Sequence, residues 1–137
     1  MTAPQQFPRL GASACVWKDG KVLLIQRAKP TLGVWSLPGG QVEFGETALA
    51  AAQRELLEES GVKADLTAFV GLYEIIRDNP LFHYAIACYG GFWRAGEASA
   101  SSDALDARWV APSELDQFDF APNVPDAIAR AQDLLRL

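Results

Sequence analysis

Apolar residues recur along this chain with two periods, and each period marks a kind of element. Residues 10–17 are small and apolar, residues 22–25 are apolar again, and Lys18-Asp19-Gly20-Lys21 separates them. Asp-Gly between two such runs is a β-hairpin signal. Residues 31–36 form a loop that carries Trp35. Residues 47–60 contain neither proline nor glycine and are rich in Ala, Leu, Gln and Glu. That composition predicts a helix, with Thr47 as its N-cap and Gly61 as its stop. Its stripe of Leu49, Ala52 and Leu56 is spaced to face a core. Residues 65–76 read as a strand rich in Val, Leu, Phe, Tyr and Ile, Arg77-Asp78-Asn79-Pro80 as a turn, and residues 81–94 as an aromatic return strand. Gly90-Gly91 inside that run signals a bulge or a close approach. Residues 95–102 are small and polar, a flexible loop closed by Asp103, and residues 107–110 make a short strand. Pro112 with Ser113-Glu114-Leu115 suggests a brief helical turn. Val124, Ala127, Ile128, Ala131, Leu134 and Leu135 then follow helical spacing in a last helix.

The totals narrow the class. At 137 residues and 14.9 kDa, without repeat or linker, residues 1–137 are expected to form one domain, with residues 1–8 a flexible tail. That tail lacks the apolar core of a signal peptide, and no stretch reaches membrane-spanning length. A net charge of −5 argues against a nucleic-acid groove but leaves a nucleotide open, because a bound cation reverses the local field. Cys15 and Cys88 lie in apolar surroundings and read as buried thiols, which suits a reducing, cytoplasmic setting. No membrane partner is expected.

The candidate chemistry sits on the first helix. Glu55, Glu58 and Glu59 stand at i, i+3 and i+4, so three carboxylates share one face within one turn. Acidic runs on helices are usually solvated surface. The alternative is a hard divalent cation among them, since Mg²⁺ and Mn²⁺ favour carboxylate and carbonyl oxygens. The loop Leu37-Pro38-Gly39-Gly40 tips the balance. It brings a rigid turn and two glycines whose backbone can approach that face closely.

The stretch from Gly40 through Glu46, Arg54, Glu55, Leu56, Glu58, Glu59, Gly61 and Val62 matches the Nudix box at every defined position, so the chain resembles that family. The resemblance implies an α/β fold, an α/β/α sandwich around a mixed central sheet, and the texture after Asp103 is similar to bacterial MutT and ADP-ribose-pyrophosphatase-like members. It implies hydrolysis of a nucleoside diphosphate linked to another group, with Mg²⁺ (or Mn²⁺) as cofactor. The ligands it implies are Glu55, Glu59, Glu58, the carbonyl of Gly39 and, by its spacing before Trp109, Asp103. Arg54 would orient Glu55, or form a simple salt bridge to Glu58, or both. Glu55 is the implied general base, with a loop carboxylate such as Glu97 or Asp103 as the other family solution. Glu46 would tie loop to helix, and Glu43 is open between support and surface.

Three residues are candidates for substrate contact. Arg27 is either a strand-end surface residue or a phosphate contact, a role that suits its planar fork. Trp35 either stacks on a base or plugs the edge of the core. Asn123 either reads a purine edge, as the resemblance of residues 119–123 to MutT-like proteins implies, or simply caps the last helix. His83, the only histidine, reads as a packed or edge residue. The expected partner is a small-molecule nucleotide, with a homodimer allowed by the family. A catalytically silent Nudix-fold nucleotide-binding or sensing module is the competing function, although such modules tend to lose box carboxylates and this chain keeps them all.

Overall fold

The computed structural model describes residues 7–28, 33–78 and 81–137. The hairpin expected at Asp19-Gly20 joins β1 (Arg9–Lys18) to β2 (Lys21–Arg27) through a two-residue turn. Both turn residues have positive φ, 51° and 75°, as the primed hairpin turns require. Two short strands not foreseen from the sequence, β3 (Trp35–Ser36) and β4 (Gly39–Gln41), follow before helix α1 (Ala48–Ser60). They were missed because a two- or three-residue strand carries no readable period. The long strands β5 (Lys63–Arg77) and β6 (Phe82–Ala95), then β7 (Ala104–Val110), a 3₁₀ turn (Pro112–Gln117) and α2 (Val124–Leu135), complete the order. Asn79 and Pro80, of the expected turn, fall outside the described residues, as do residues 1–6 and 29–32, which include the start of the expected loop 31–36.

The sheet forks, and the fork creates the site. Strands run β3-β2-β1-β6-β5, with β1 parallel to β6 and the remaining pairs antiparallel, so the sheet is mixed. β2 stays beside β1 only at Lys21 and Val22, then diverges to pair β3 through Ile25 and Gln26. β4 takes the vacated edge of β1, opposite Gly11, Ala12 and Ser13. The Leu37-Pro38 corner fills the gap, with Ala14 N–H donating to Pro38 O at 2.9 Å.

Alternation along β1 and β2 divides the core in two. Cys15, Trp17, Val22 and Leu24 face α2, where Ala127, Ile128 and Ala131 cover them. Ala14, Val16 and Leu23 face α1, against Ala51, Ala52 and Leu56. Strands covered on both faces read as continuous apolar runs, which explains why residues 22–25 showed no alternation. Thr47 caps α1 by accepting from Ala50 N–H at 3.1 Å, and Gly61 ends it in the left-handed region at φ 74°. The expected core stripe needs one correction: Leu49 is exposed, and Ala51 takes its place beside Ala52 and Leu56. Leu134 is likewise exposed on α2.

Loop 96–103 is fastened rather than free. Ser99 and Ser101 donate their backbone N–H groups to Ser60 O and Glu59 O, at 3.0 and 3.1 Å, using carbonyls that the end of α1 leaves without helical partners. Gly90-Gly91 faces a register shift in β5 between Leu66 and Ala68, and a Cβ on Gly91 would overlap the Asp65 carbonyl. Close backbone approach therefore requires glycine there. Cys15 and Cys88 are buried free thiols, and burial pushes Cys88 up to about 11.

Candidate active site

Arg54 is the hub of the acidic helix face. Its Nε and Nη2 donate to the two oxygens of Glu46 at 2.8 and 3.0 Å, a bidentate grip. Its Nη1 donates to Glu55 at 2.7 Å and to Glu58 at 3.3 Å, and its Nη2 also reaches Gln41 O at 3.0 Å. Glu46 in turn accepts from Glu43 N–H at 3.1 Å. Arg54 thus joins the helix to the loop, and it contacts Glu55 and Glu58 at once. The Arg54 fork and the Glu43 N–H hold the Glu46 carboxyl below its ordinary range, and the same pairing raises Arg54 above its own.

Glu59 is the buried member, with a side chain only 5% exposed. It accepts a 2.7 Å hydrogen bond from Gly39 N–H, and Arg27 Nη1 stands 3.7 Å from its second oxygen. Burial pushes its carboxyl up to about 7, against the pull of Arg27 and the Gly39 N–H, while the charges of Glu55 and Asp103 push the same way as burial.

The two glycines have separate reasons. A Cβ on Gly39 would lie 2.5 Å from Ala12 O, inside the β4–β1 pairing. A Cβ on Gly40 would lie 2.5 to 2.7 Å from the carboxyl atoms of Glu55. Glycine at both positions lets the turn press onto two carboxylates.

Glu55, Glu59 and the Gly39-Gly40 start of β4 are therefore in contact, whereas Glu58 is half-exposed at the outer end of the Arg54 network. Asp103 is exposed, its charge felt at Glu59 and its carbonyl accepting from Ala28 N–H at 3.3 Å. Among the described residues no group of three or more acidic, histidine or cysteine side chains stands gathered as a metal cage, because Glu55 is turned to Arg54 and Glu59 to Gly39 and Arg27. The donor set nonetheless fits a hard divalent cation. It is all oxygen, it includes a desolvated carboxylate whose charge one long cation contact offsets among the described residues, and glycine backbone lies against it.

A cleft of about 630 Å³ opens beside this floor. Arg27, Ser36, Gly39 and Gly40 line it, as does a wall of Phe82, Tyr84 and Ile86 with Arg77, while Glu55, Glu58, Glu59 and Asp103 do not. Phe82 and Tyr84 rings lie 4.6 Å apart, and the Arg77 guanidinium sits over Phe82 at 5.2 Å. These wall residues were not singled out from the sequence. Their i, i+2, i+4 spacing was the available signal, since alternate strand positions share a face.

Of the three substrate candidates, the fold brings one to the acidic floor. Arg27 points inward, its Nε donating to Ser36 Oγ at 2.8 Å, rather than sitting as a strand-end surface residue. Trp35 does not line the cleft. It is 8% exposed and packs edge-on against Phe118, 5.1 Å between centroids, so it plugs the core. Strand parity is the reason: Val34 and Ser36 line the cleft, which turns Trp35 the other way. Asn123 is exposed at φ 70°, makes no side-chain cap bond, and also does not line the cleft, although Phe120, Ala121, Pro122 and Val124 do. It does occupy the N-cap position, its carbonyl accepting from Ala127 N–H at 3.0 Å, but in a left-handed conformation that Asn tolerates and without the side-chain bond of an extended cap.

The sequence model of the NUDIX domain matches residues 7–131. The chain is 35% identical over 114 residues to the putative 8-oxo-dGTP diphosphatase of Bacillus subtilis (strain 168), covering 82% of this chain and 72% of that protein. It is 32% identical over 105 residues to the ADP-ribose pyrophosphatase of Methanocaldococcus jannaschii, covering 72% of this chain and 62% of that protein. A MutT NUDIX hydrolase structure from Burkholderia pseudomallei matches with a TM-score of 0.83 at 26% identity, over 91% of this chain and 98% of that one. With Arg54 and the box glutamates joined in one network on α1 and the domain model spanning nearly the whole sequence, the chain belongs to the Nudix hydrolases, enzymes that act on phosphoric anhydrides.

Proposed function

We propose that this protein hydrolyses the diphosphate of a nucleoside diphosphate linked to another moiety, an ADP-ribose-like molecule or a nucleoside triphosphate, with Mg²⁺ as the cofactor and Mn²⁺ as a substitute. The carrying observation is the contact of Gly39 and Gly40, which line an aromatic-walled cleft, with Glu59 and Glu55. Glu59, Glu55, Glu58, the Gly39 carbonyl and Asp103 are the groups that would hold the cation. When bound, it supplies charge neutralisation of the pyrophosphate and a more acidic water.

The chain's own residues do the rest. Glu55 accepts the proton of the attacking water, and Arg54, 2.7 Å away, fixes its orientation. Arg27 offers its guanidinium to phosphate oxygens, and the Phe82–Tyr84 wall gives a planar base an apolar face on which to stack. The names of the relatives span both substrate classes, so both stay within the proposal. Two buried free thiols support a cytoplasmic setting, and among the described residues no helix is long and apolar enough to cross a membrane.

A phosphate-release screen over ADP-ribose, diadenosine polyphosphates, nucleoside diphosphate sugars and canonical or oxidised dNTPs tests this reading. One class should be cleaved well above the others, with activity lost in EDTA. Nucleotide binding by calorimetry without turnover of any would instead favour the sensing module. Arg54→Lys gives a second check. An ammonium cannot span Glu46, Glu55 and Gln41 O together, so kcat should fall by about 10- to 100-fold while the circular dichroism spectrum is kept. Unaltered kcat would remove Arg54 from the orienting role.

A further inference from the structure

Two arginines touch the acidic floor, and they hold it differently. Arg54 grips Glu46 and Glu55 through hydrogen bonds of 2.7 to 3.0 Å. Among the described residues Arg27 has one short bond, Nε to Ser36 Oγ at 2.8 Å. Its terminal nitrogens make only long contacts with them: Nη1 lies 3.7 Å from Glu59 Oε2, and Nη2 lies 3.4 Å from Leu37 O and 3.5 Å from Gly39 O. Contacts of that length are at or beyond the limit of a good hydrogen bond, so little fixes the end of this side chain.

The long contacts fall on the Glu59 carboxylate and the Gly39 carbonyl, two of the groups assigned above to the divalent cation. A guanidinium and a divalent cation repel each other and compete for the same oxygens. The arm has somewhere else to go: Arg27, Ser36 and Gly39 all line the cleft, and the Arg27 side chain is 26% exposed.

We propose that Arg27 is the resident counter-ion of the metal-free floor, a positioning residue that covers Glu59 and the Gly39 carbonyl until the divalent cation arrives. It then yields those oxygens and, still held near Ser36, turns its fork to the pyrophosphate. Metal loading and phosphate capture are coupled through this one side chain: a floor without metal keeps Arg27 occupied, and a loaded floor releases it to the substrate. The inference rests on the metal reading given under Proposed function.

The test is Mn²⁺ affinity, measured by electron paramagnetic resonance without nucleotide, in the wild type, Arg27→Gln, Arg27→Lys and Glu59→Gln. Removing a competing cation should tighten Mn²⁺ binding in Arg27→Gln by about tenfold, while Arg27→Lys, which keeps the charge, stays near the wild type. A merely structural Arg27, holding the Leu37–Gly39 turn in place, predicts the opposite sign. Unchanged or weaker binding in a folded Arg27→Gln overturns the proposal. If that variant does not fold, the wild type still decides. The ¹⁵Nε–¹H resonance of Arg27 should shift on Mg²⁺ titration and saturate with metal binding, and a resonance that does not move overturns the coupling. Equal Mn²⁺ affinity in the wild type and Glu59→Gln is a different failure, because it removes the metal reading on which the coupling stands.

Discussion

Glu59→Gln is expected to lower kcat by about 10³-fold, roughly 4 kcal/mol of transition-state stabilisation, with the fold intact. The amide is nearly isosteric, and its oxygen can still accept the Gly39 N–H bond that the wild-type carboxylate accepts at 2.7 Å. Packing of a side chain only 5% exposed is therefore conserved. What disappears is a negative charge at the one position where the turn, the helix and Arg27 converge. Neighbouring Glu58 cannot replace it, since its side chain is 49% exposed and lies at the far end of the Arg54 network. Steady-state kinetics under saturating Mg²⁺ read the effect, and a melting curve checks the fold. A variant that turns over within a few-fold of the wild type would end the assignment of Glu59 to the metal. Glu58→Gln serves as the internal comparison, with a smaller loss expected from its exposed position.

The contrast between these two glutamates shows which parts of the site the sequence could disclose. Part of what is local to the helix was legible: Arg54 with Glu58 follows from i, i+4 spacing and Thr47 and Gly61 from the chemistry of caps, whereas Arg54 with Glu55 was implied by the family resemblance alone. Glu46, expected to tie loop to helix, does so through Arg54, a partner the sequence did not name. Burial was not legible. Glu58 and Glu59 are adjacent and chemically identical, and only the fork of the sheet sets one against Gly39 and leaves the other in water. Arg27 belongs to the same class. Its sequence neighbourhood reads as a strand end, and its inward turn depends on β2 leaving β1 after Val22 to pair with β3. For the cleft wall, alternation told that Phe82, Tyr84 and Ile86 share a face, but not that the α2 helix stops short of covering it. Which of the two readings of Trp35 the fold favours was hidden for a related reason, since the parity of a two-residue strand cannot be read before its pairing is known.

The same burial makes the metal-free protein less stable as pH rises, opposite to the usual behaviour of a paired carboxylate. The Glu59 carboxyl is pushed from 4.5 up to about 7 in the folded chain, chiefly by burial. Between those two values the folded state binds more protons than the unfolded state. Its stabilising contribution is therefore fully present below 4.5 and is lost as pH rises through about 7, a total of ~3 kcal/mol. Glu46 acts in the other direction and in another window. Its lowered carboxyl adds stability that is lost only on acidification below its ordinary value of 4.5. Denaturant melts in EDTA should accordingly show stability falling from about pH 5 to about pH 8. Two additions should flatten that slope for different reasons. Saturating Mg²⁺ binds the ionised folded state and recovers the loss by linkage, whereas Glu59→Gln removes the titrating group altogether. A wild-type slope that survives unchanged in Glu59→Gln would mean the protons are bound elsewhere. A slope abolished in Glu59→Gln but untouched by Mg²⁺ would keep Glu59 as the buried acid and deny it the cation.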